Sequence, residues 1–320
     1  MRDRPGGAVL ALVLMGGVLA ASTAALFTRG AYDAAGAGTL GGGLLLAVAR
    51  MTITSALTAP AWIERRHAAG APPRPTLPAG TRARTVLAGA LLGLHFATWL
   101  PSLVYTSIAA SSTIVTTGPI WVALLLWLRG ERPSGRAGLG ITVAVAGGGL
   151  VAFGNVEGLD SGANPLLGNA LALVAAITFA GHLLLGRSVQ HRGLGLWRWT
   201  AVVAGVGALT VLPLALLAAP GDGPYPAGFW AAAVALALVP QLLGHSSFTW
   251  TVRWLSPTLV SSVILLEPLF SGLGGVLLFD EVPGAVVIAG AVALIAGVAL
   301  TTVAEQDRSP LPAEAPLGPP

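Results

Sequence analysis

Two stretches of this chain are copies of one another, and each copy belongs to a set with an odd number of apolar spans. Around Pro119 the chain reads Gly-Pro-Ile-Trp, an apolar run, then Gly130-Glu131-Arg132-Pro133. Around Pro268 it reads Glu-Pro-Leu-Phe, another apolar run, then Asp280-Glu281-Val282-Pro283. Beyond the glutamates the offset is 150, pairing Pro133 with Pro283, Gly140 with Gly290 and Gly147 with Gly297. Upstream it is 149, pairing Ser112 with Ser261 and Pro119 with Pro268. A module used twice in one chain must pack against itself, and that constrains the fold more tightly than any single motif.

The solvent for that packing is lipid. Hydrophobic residues make up 54% of the chain and charged residues 9%, against about 25% charged in a soluble domain. Ten apolar spans are predicted, at 8–28, 41–61, 84–104, 108–128, 137–155, 165–186, 196–218, 229–250, 257–278 and 283–303. Each approaches the roughly 20 residues that cross the hydrocarbon core. The first is read as a retained membrane helix and not a signal peptide, because it has span length and no clear cleavage site. All seventeen basic residues are arginines. With the spans alternating from a cytoplasmic N-terminus, fifteen of them fall on the inner side and only Arg29 on the outer, with Arg50 inside a span. That asymmetry predicts a multi-pass protein of the cytoplasmic membrane with both termini in the cytoplasm.

Five spans per half force the second copy to enter with opposite polarity. The expected fold is therefore an all-α membrane protein of ten transmembrane helices, built as two inverted five-helix repeats. Residues 1–160 form the first repeat, with a proline-rich cytoplasmic linker at about 64–82. Residues 161–305 form the second, and 306–320 a disordered cytoplasmic tail. Cysteine is absent, which excludes disulfides, thiolate catalysis and sulfur-ligated metals. No motif calls for a cofactor or nucleic acid. Whether two chains pair as a homodimer is left open by the sequence.

The two copies resemble EamA-type carriers of the drug/metabolite transporter superfamily. The pattern is a proline, an apolar helix, Gly-Glu-x-x, then a helix rich in glycine and alanine. Gly168 to Ala176, Gly-x-x-Leu-Ala-Leu-x-Ala-Ala, is similar to the family's sixth span. Near the first span the family's tryptophan-glycine pair is replaced by Met15-Gly16-Gly17. The resemblance implies a central cavity between the halves, with spans 5 and 10 peripheral, and a small-molecule substrate: an amino acid, another metabolite or a drug-like compound. It makes the chain a candidate permease working by alternating access, as an exporter, in a lipid bilayer.

Polar side chains inside the spans are the candidate site, since an ionisable group at mid-membrane costs about 2.5–3.5 kcal/mol. Arg50 is read either as a cavity cation, meeting an anionic substrate group or Glu267, or as a residue near the outer interface. Glu267, directly before Pro268, is the proton-coupling candidate: it either satisfies a carbonyl freed by the proline or exchanges a proton as the cavity wets. Its repeat partner is Gly118. His95 and His245 fall within one residue of equivalence between the repeats, each followed by a Thr-Trp pair, Thr98-Trp99 and Thr249-Trp250, and are expected to face one another. Gln241, one turn before His245, shares its face, and Trp99 joins His95. His182 reads as structural. Thr113, Thr116 and Thr117 form a hydroxyl stripe that either lines the path or bonds back to its own helix. No carboxylate lies at helical spacing from either histidine, so no metal site is expected. Glu131 and Glu281 read as hairpin or helix-start caps.

Two other functions compete. An intramembrane enzyme would need a clustered nucleophile, base or metal set, and the polar residues lie singly on separate helices. A non-transporting sensor or interaction protein would be expected to carry a soluble reader domain, and none is read here. No phosphate-binding loop of the Walker type occurs, which argues against ATP-driven pumping.

Overall fold

The structure is a computed structural model and describes residues 4–62, 77–106, 108–153, 164–218, 224–270 and 284–308. Among the described residues there is no strand. In lipid the backbone must satisfy its own polar groups, and a helix does so within one segment. Eight helical stretches are long and apolar enough to cross a membrane, which makes this an all-α membrane protein.

The first stretch, Gly7–Ala34, comprises α1 (Gly7–Ser22) and α2 (Ala24–Ala34). It runs past the predicted end at 28, and is broken at Thr23, whose hydroxyl bonds back to the Ala20 carbonyl at 2.7 Å. The chain continues through α3 (Leu40–Thr58) and α4 (Thr81–Tyr105), then α5 (Ile108–Val115) and α6 (Gly118–Leu128). After α7 (Gly135–Phe153) come α8 (Pro165–His191), α9 (Leu196–Ala218) and α10 (Ala227–Leu236). A π-helical turn, Ala237–His245, leads into α11 (Ser246–Thr251). The last described elements are α12 (Pro257–Ile264), a helical turn at 267–270 and α13 (Ala285–Arg308). Glu281, residues 63–76 of the expected linker and residues 309–320 of the expected tail lie outside the described residues, while Thr81 and Arg82 already belong to α4 and residues 306–308 close α13.

Helix starts follow local chemistry. Proline takes the first turn of α8 and α12, where its missing N–H costs nothing, and Asn164 and Ser256 cap them by accepting from Leu167 N and Leu259 N. The start of α7 is capped by Ser134, which accepts from Ala137 N at 3.1 Å. Glu131, expected as a cap, instead sits exposed in the turn that ends α6, behind Gly130 at φ +86°. A serine one residue from the helix reaches its free N–H groups, and a glutamate four residues away does not.

Helix pairing is close and glycine-mediated. A Cβ at Gly140 would meet the Gly297 carbonyl at 2.8 Å, and one at Gly147 would meet the Gly290 carbonyl at 2.7 Å. Residue numbers rise along α7 as they fall along α13, so the two helices run antiparallel. The repeat offset exchanges these two contacts, sending 140–297 onto 290–147. Other pairings exchange in the same way: α3 with α9 and α7 with α13 map onto themselves, while α4 with α8 maps onto the contact of α1 with the π turn and α11.

The apolar core forms two clusters. One gathers Met51, Leu92, Phe96 and Trp199. The other gathers Leu14, Val18, Val122, Phe179, Phe248 and Leu265. Phe96 of the first cluster and Phe248 of the second both lie against the His245 ring, at 5.3 and 5.9 Å between centroids.

Candidate functional site

Two helices lose their continuity at the centre of the molecule, at matching points of the repeat. α5 stops at Val115 and α6 begins at Gly118, with Pro119 in its first turn. α12 stops at Ile264 and helical structure resumes at Glu267, followed by Pro268. Each proline lacks the N–H that would carry the helix through, so backbone polar groups are released where they border a cavity and not lipid.

That cavity has a volume of about 50 Å³. His95, Trp99, Thr116, His245, Ser261 and Glu267 line it, with Gly118 and Pro119 from the break in the first half. It has room for a few waters and not for a metabolite. Glu267 is half-buried here. Of the threonine stripe, Thr116 reaches the cavity, but its hydroxyl bonds back to Ser112 O at 2.8 Å and Thr113 O at 3.0 Å. Thr117 bonds to Ile114 O at 2.6 Å and accepts from Trp121 Nε1 at 3.1 Å. Thr113 is half-buried one turn earlier.

The two matched histidines meet, with ring centroids 6.2 Å apart. His95 Nδ1 lies 2.9 Å from the Ala175 carbonyl. A carbonyl only accepts, so this nitrogen carries a proton. His182 is fixed likewise by the Ala88 carbonyl at 3.0 Å. His245 Nδ1 is buried with no hydrogen-bond partner. Phe179 stands among the three, 5.1 Å from His95, 5.4 Å from His245 and 6.1 Å from His182. Trp99 stacks on His95 at 6.0 Å.

Arg50 lies at the middle of α3 with 0% of its surface exposed, packed within the protein. Its Nη2 donates to Gln241 Oε1 at 2.8 Å, and its guanidinium carbon sits 3.9 Å above the centre of the Phe96 ring. The hydrogen bond runs to Gln241 and not to Glu267. Gln241 and His245 both belong to the π turn, where Pro240 lacks a helical N–H. Turns of this kind recur at functional sites.

The structure thus brings His95, Trp99, Thr116, His245 and Glu267 to one cavity, and holds Arg50 and Gln241 behind Phe96. Phe96 and Phe179 were not legible as site residues. Phe96 adjoins His95 in the chain, which is the one sequence signal it carries.

These features define a helical membrane protein with a small polar cavity between its helices. Residues 166–303 match the model of the EamA-like transporter family. An uncharacterized transporter of Archaeoglobus fulgidus is 24% identical over 216 residues, covering 67% of this chain and 75% of its own. A protein known by its crystal structure shares the fold, with a TM-score of 0.70 at 20% identity over 95% of this chain and 99% of that one. Over residues 166–303 the chain is thus similar to EamA-like transporters, and over two thirds of its length to a transporter of unassigned substrate.

Proposed function

We propose that the chain is a secondary active carrier that exports a small metabolite across the cytoplasmic membrane by alternating access. In this reading ten spans form two inverted repeats, residues 1–160 and 161–305, with both termini in the cytoplasm. One observation carries it: His95 and His245, within one residue of equivalence between the repeats, stand 6.2 Å apart beside the cavity. A residue that touches its own symmetry mate lies next to the symmetry axis. The antiparallel contacts of α7 with α13, which the offset exchanges, support an axis perpendicular to those helices. For helices that cross a bilayer, such an axis lies in the membrane plane, and inward- and outward-facing states become near mirror images of similar energy.

The substrate site comprises Arg50, His95, Trp99, Thr113, Thr116, Thr117, Gln241, His245 and Glu267. The two helix breaks present their N-terminal ends and freed carbonyls to the solute. Glu267 couples a proton to the cycle, because the cavity that wets and dries reaches its carboxyl.

Counterflow in reconstituted vesicles tests the carrier reading. Vesicles preloaded in turn with amino acids, nucleosides and organic acids are expected to exchange external label for at least one of them. Protein that is folded yet exchanges none of the panel would count against a carrier.

A further inference from the structure

Arg50 is a buried cation whose donors are mostly unused. Nε and Nη1 have no hydrogen-bond partner, and together they carry three of the five guanidinium N–H groups. The one hydrogen bond the side chain makes goes from Nη2 to Gln241 Oε1. The face of the group lies on Phe96. A charge held this way is costly unless something answers it for part of the working cycle.

From this geometry we infer that Arg50 and Gln241 form the oxyanion anchor of the substrate site, and that the substrate is a small organic monocarboxylate with an apolar body. The inference deepens the carrier reading and rests on it. The unpartnered groups of Arg50 are both donors, the guanidinium Nε and Nη1, and the Gln241 oxygen beside them is taken by Nη2 of the same arginine. Donors converging without an acceptor select an oxyanion. The charge is limited to one, because a single guanidinium faces the anion. The walls between are aromatic, with Phe96, Phe179 and Trp99 offering a flat apolar surface.

Phe96 separates this anchor from the present cavity. One neighbour is Arg50 at 3.9 Å, and another is the ring of His245 at 5.3 Å, which itself borders the cavity. Displacing the Phe96 ring would open the guanidinium toward that cavity. Phe96 is therefore the positioning residue of the site.

The test is thermal unfolding of the purified full chain with acetate, hexanoate and benzoate, each against its neutral amide, and with inorganic phosphate. A ligand that binds only the folded state raises the unfolding temperature as its concentration rises. At least one carboxylate is expected to do so, with its amide and phosphate at least tenfold weaker. Arg50→Gln is expected to fold, since it removes an unanswered charge and leaves an amide against Gln241, and to abolish the carboxylate shift. Arg50→Lys is expected to retain part of it. A shift of equal size from the amide or from phosphate, no shift from any of the three carboxylates, or a shift that survives Arg50→Gln would overturn the anchor. Counterflow of neutral solutes with no carboxylate shift would overturn the anchor alone and leave the carrier. Carboxylate binding with no vesicle exchange would overturn the carrier alone.

Discussion

Replacing Gly147 with alanine is expected to destabilise the protein by about 3 kcal/mol, while the same change at Gly148 leaves stability unchanged or slightly raised. A Cβ at Gly147 would run into the backbone nitrogen of Leu294, and would lie 2.7 Å from the Gly290 carbonyl and 2.8 Å from the Leu294 Cα. These are main-chain atoms of the facing helix, so no side chain can turn aside and α7 must move away from α13. Helix association in lipid depends on close van der Waals packing, and a forced separation loses it along the whole contact. Gly148 has nothing within 4 Å of its Cβ position, and alanine is the better helix former by about 1 kcal/mol. Gly297→Ala should behave like Gly147→Ala, because its Cβ would meet the Gly140 carbonyl at 2.6 Å and the backbone of Ala144. Unfolding in detergent by rising temperature or added SDS measures all three. Equal stability of the Gly147 and Gly148 variants would contradict the close antiparallel contact.

Glu267→Gln is expected to lower uptake driven by a pH gradient by about tenfold or more, while substrate counterflow without a gradient stays within about twofold of the parent. The glutamine keeps the size and hydrogen-bonding reach of the side chain and removes only its exchangeable proton. The position is asymmetric by composition and not by lack of space. Its repeat partner Gly118 has nothing within 4 Å of its Cβ position, so a side chain would fit there and the chain carries none. One acid in one half is what a single coupling step requires. Vesicles with an imposed pH gradient measure the first quantity and labelled exchange the second. Unchanged gradient-driven uptake would remove Glu267 from coupling and leave the carrier standing, whereas loss of both would point to damaged folding.

How much of this was legible in the chain depends on the range of the interaction that decides it. The helices of Leu40–Thr58 and Leu196–Ala218 follow from apolar length alone, which lipid rewards locally. Gly140, Gly147 and Gly297 were readable as close-contact positions because seven-residue spacing keeps them on one helix face. The pairing of His95 with His245 was readable from the repeat, since equivalent residues on facing helices converge near an axis. The π turn was not. Pro240 sits in an otherwise ordinary apolar span, and its effect is to shift the residues after it by about 100° relative to a regular helix. A regular helix puts Gln241 and His245 on one face; in the structure Gln241 meets Arg50 and His245 meets His95 and Phe179. Phe96 and Phe179 were invisible for a similar reason, because an aromatic residue in an apolar span carries no sign of which neighbours it will touch. The Thr116–Thr117 break was half legible: Pro119 marked it, but only the cavity on its flank makes the released backbone tolerable.

In the proposed carrier, duplication with reversed polarity underlies both the cavity and the cycle, and it can be measured without knowing the substrate. The chain has no cysteine, so single cysteines at positions 131 and 281 can be labelled in intact cells with a membrane-impermeant maleimide. Reaction at 281 from outside, and at 131 only after the membrane is opened, is the predicted result. Labelling of both positions from one and the same side would contradict it, and would leave the alternating cycle without its mechanical basis.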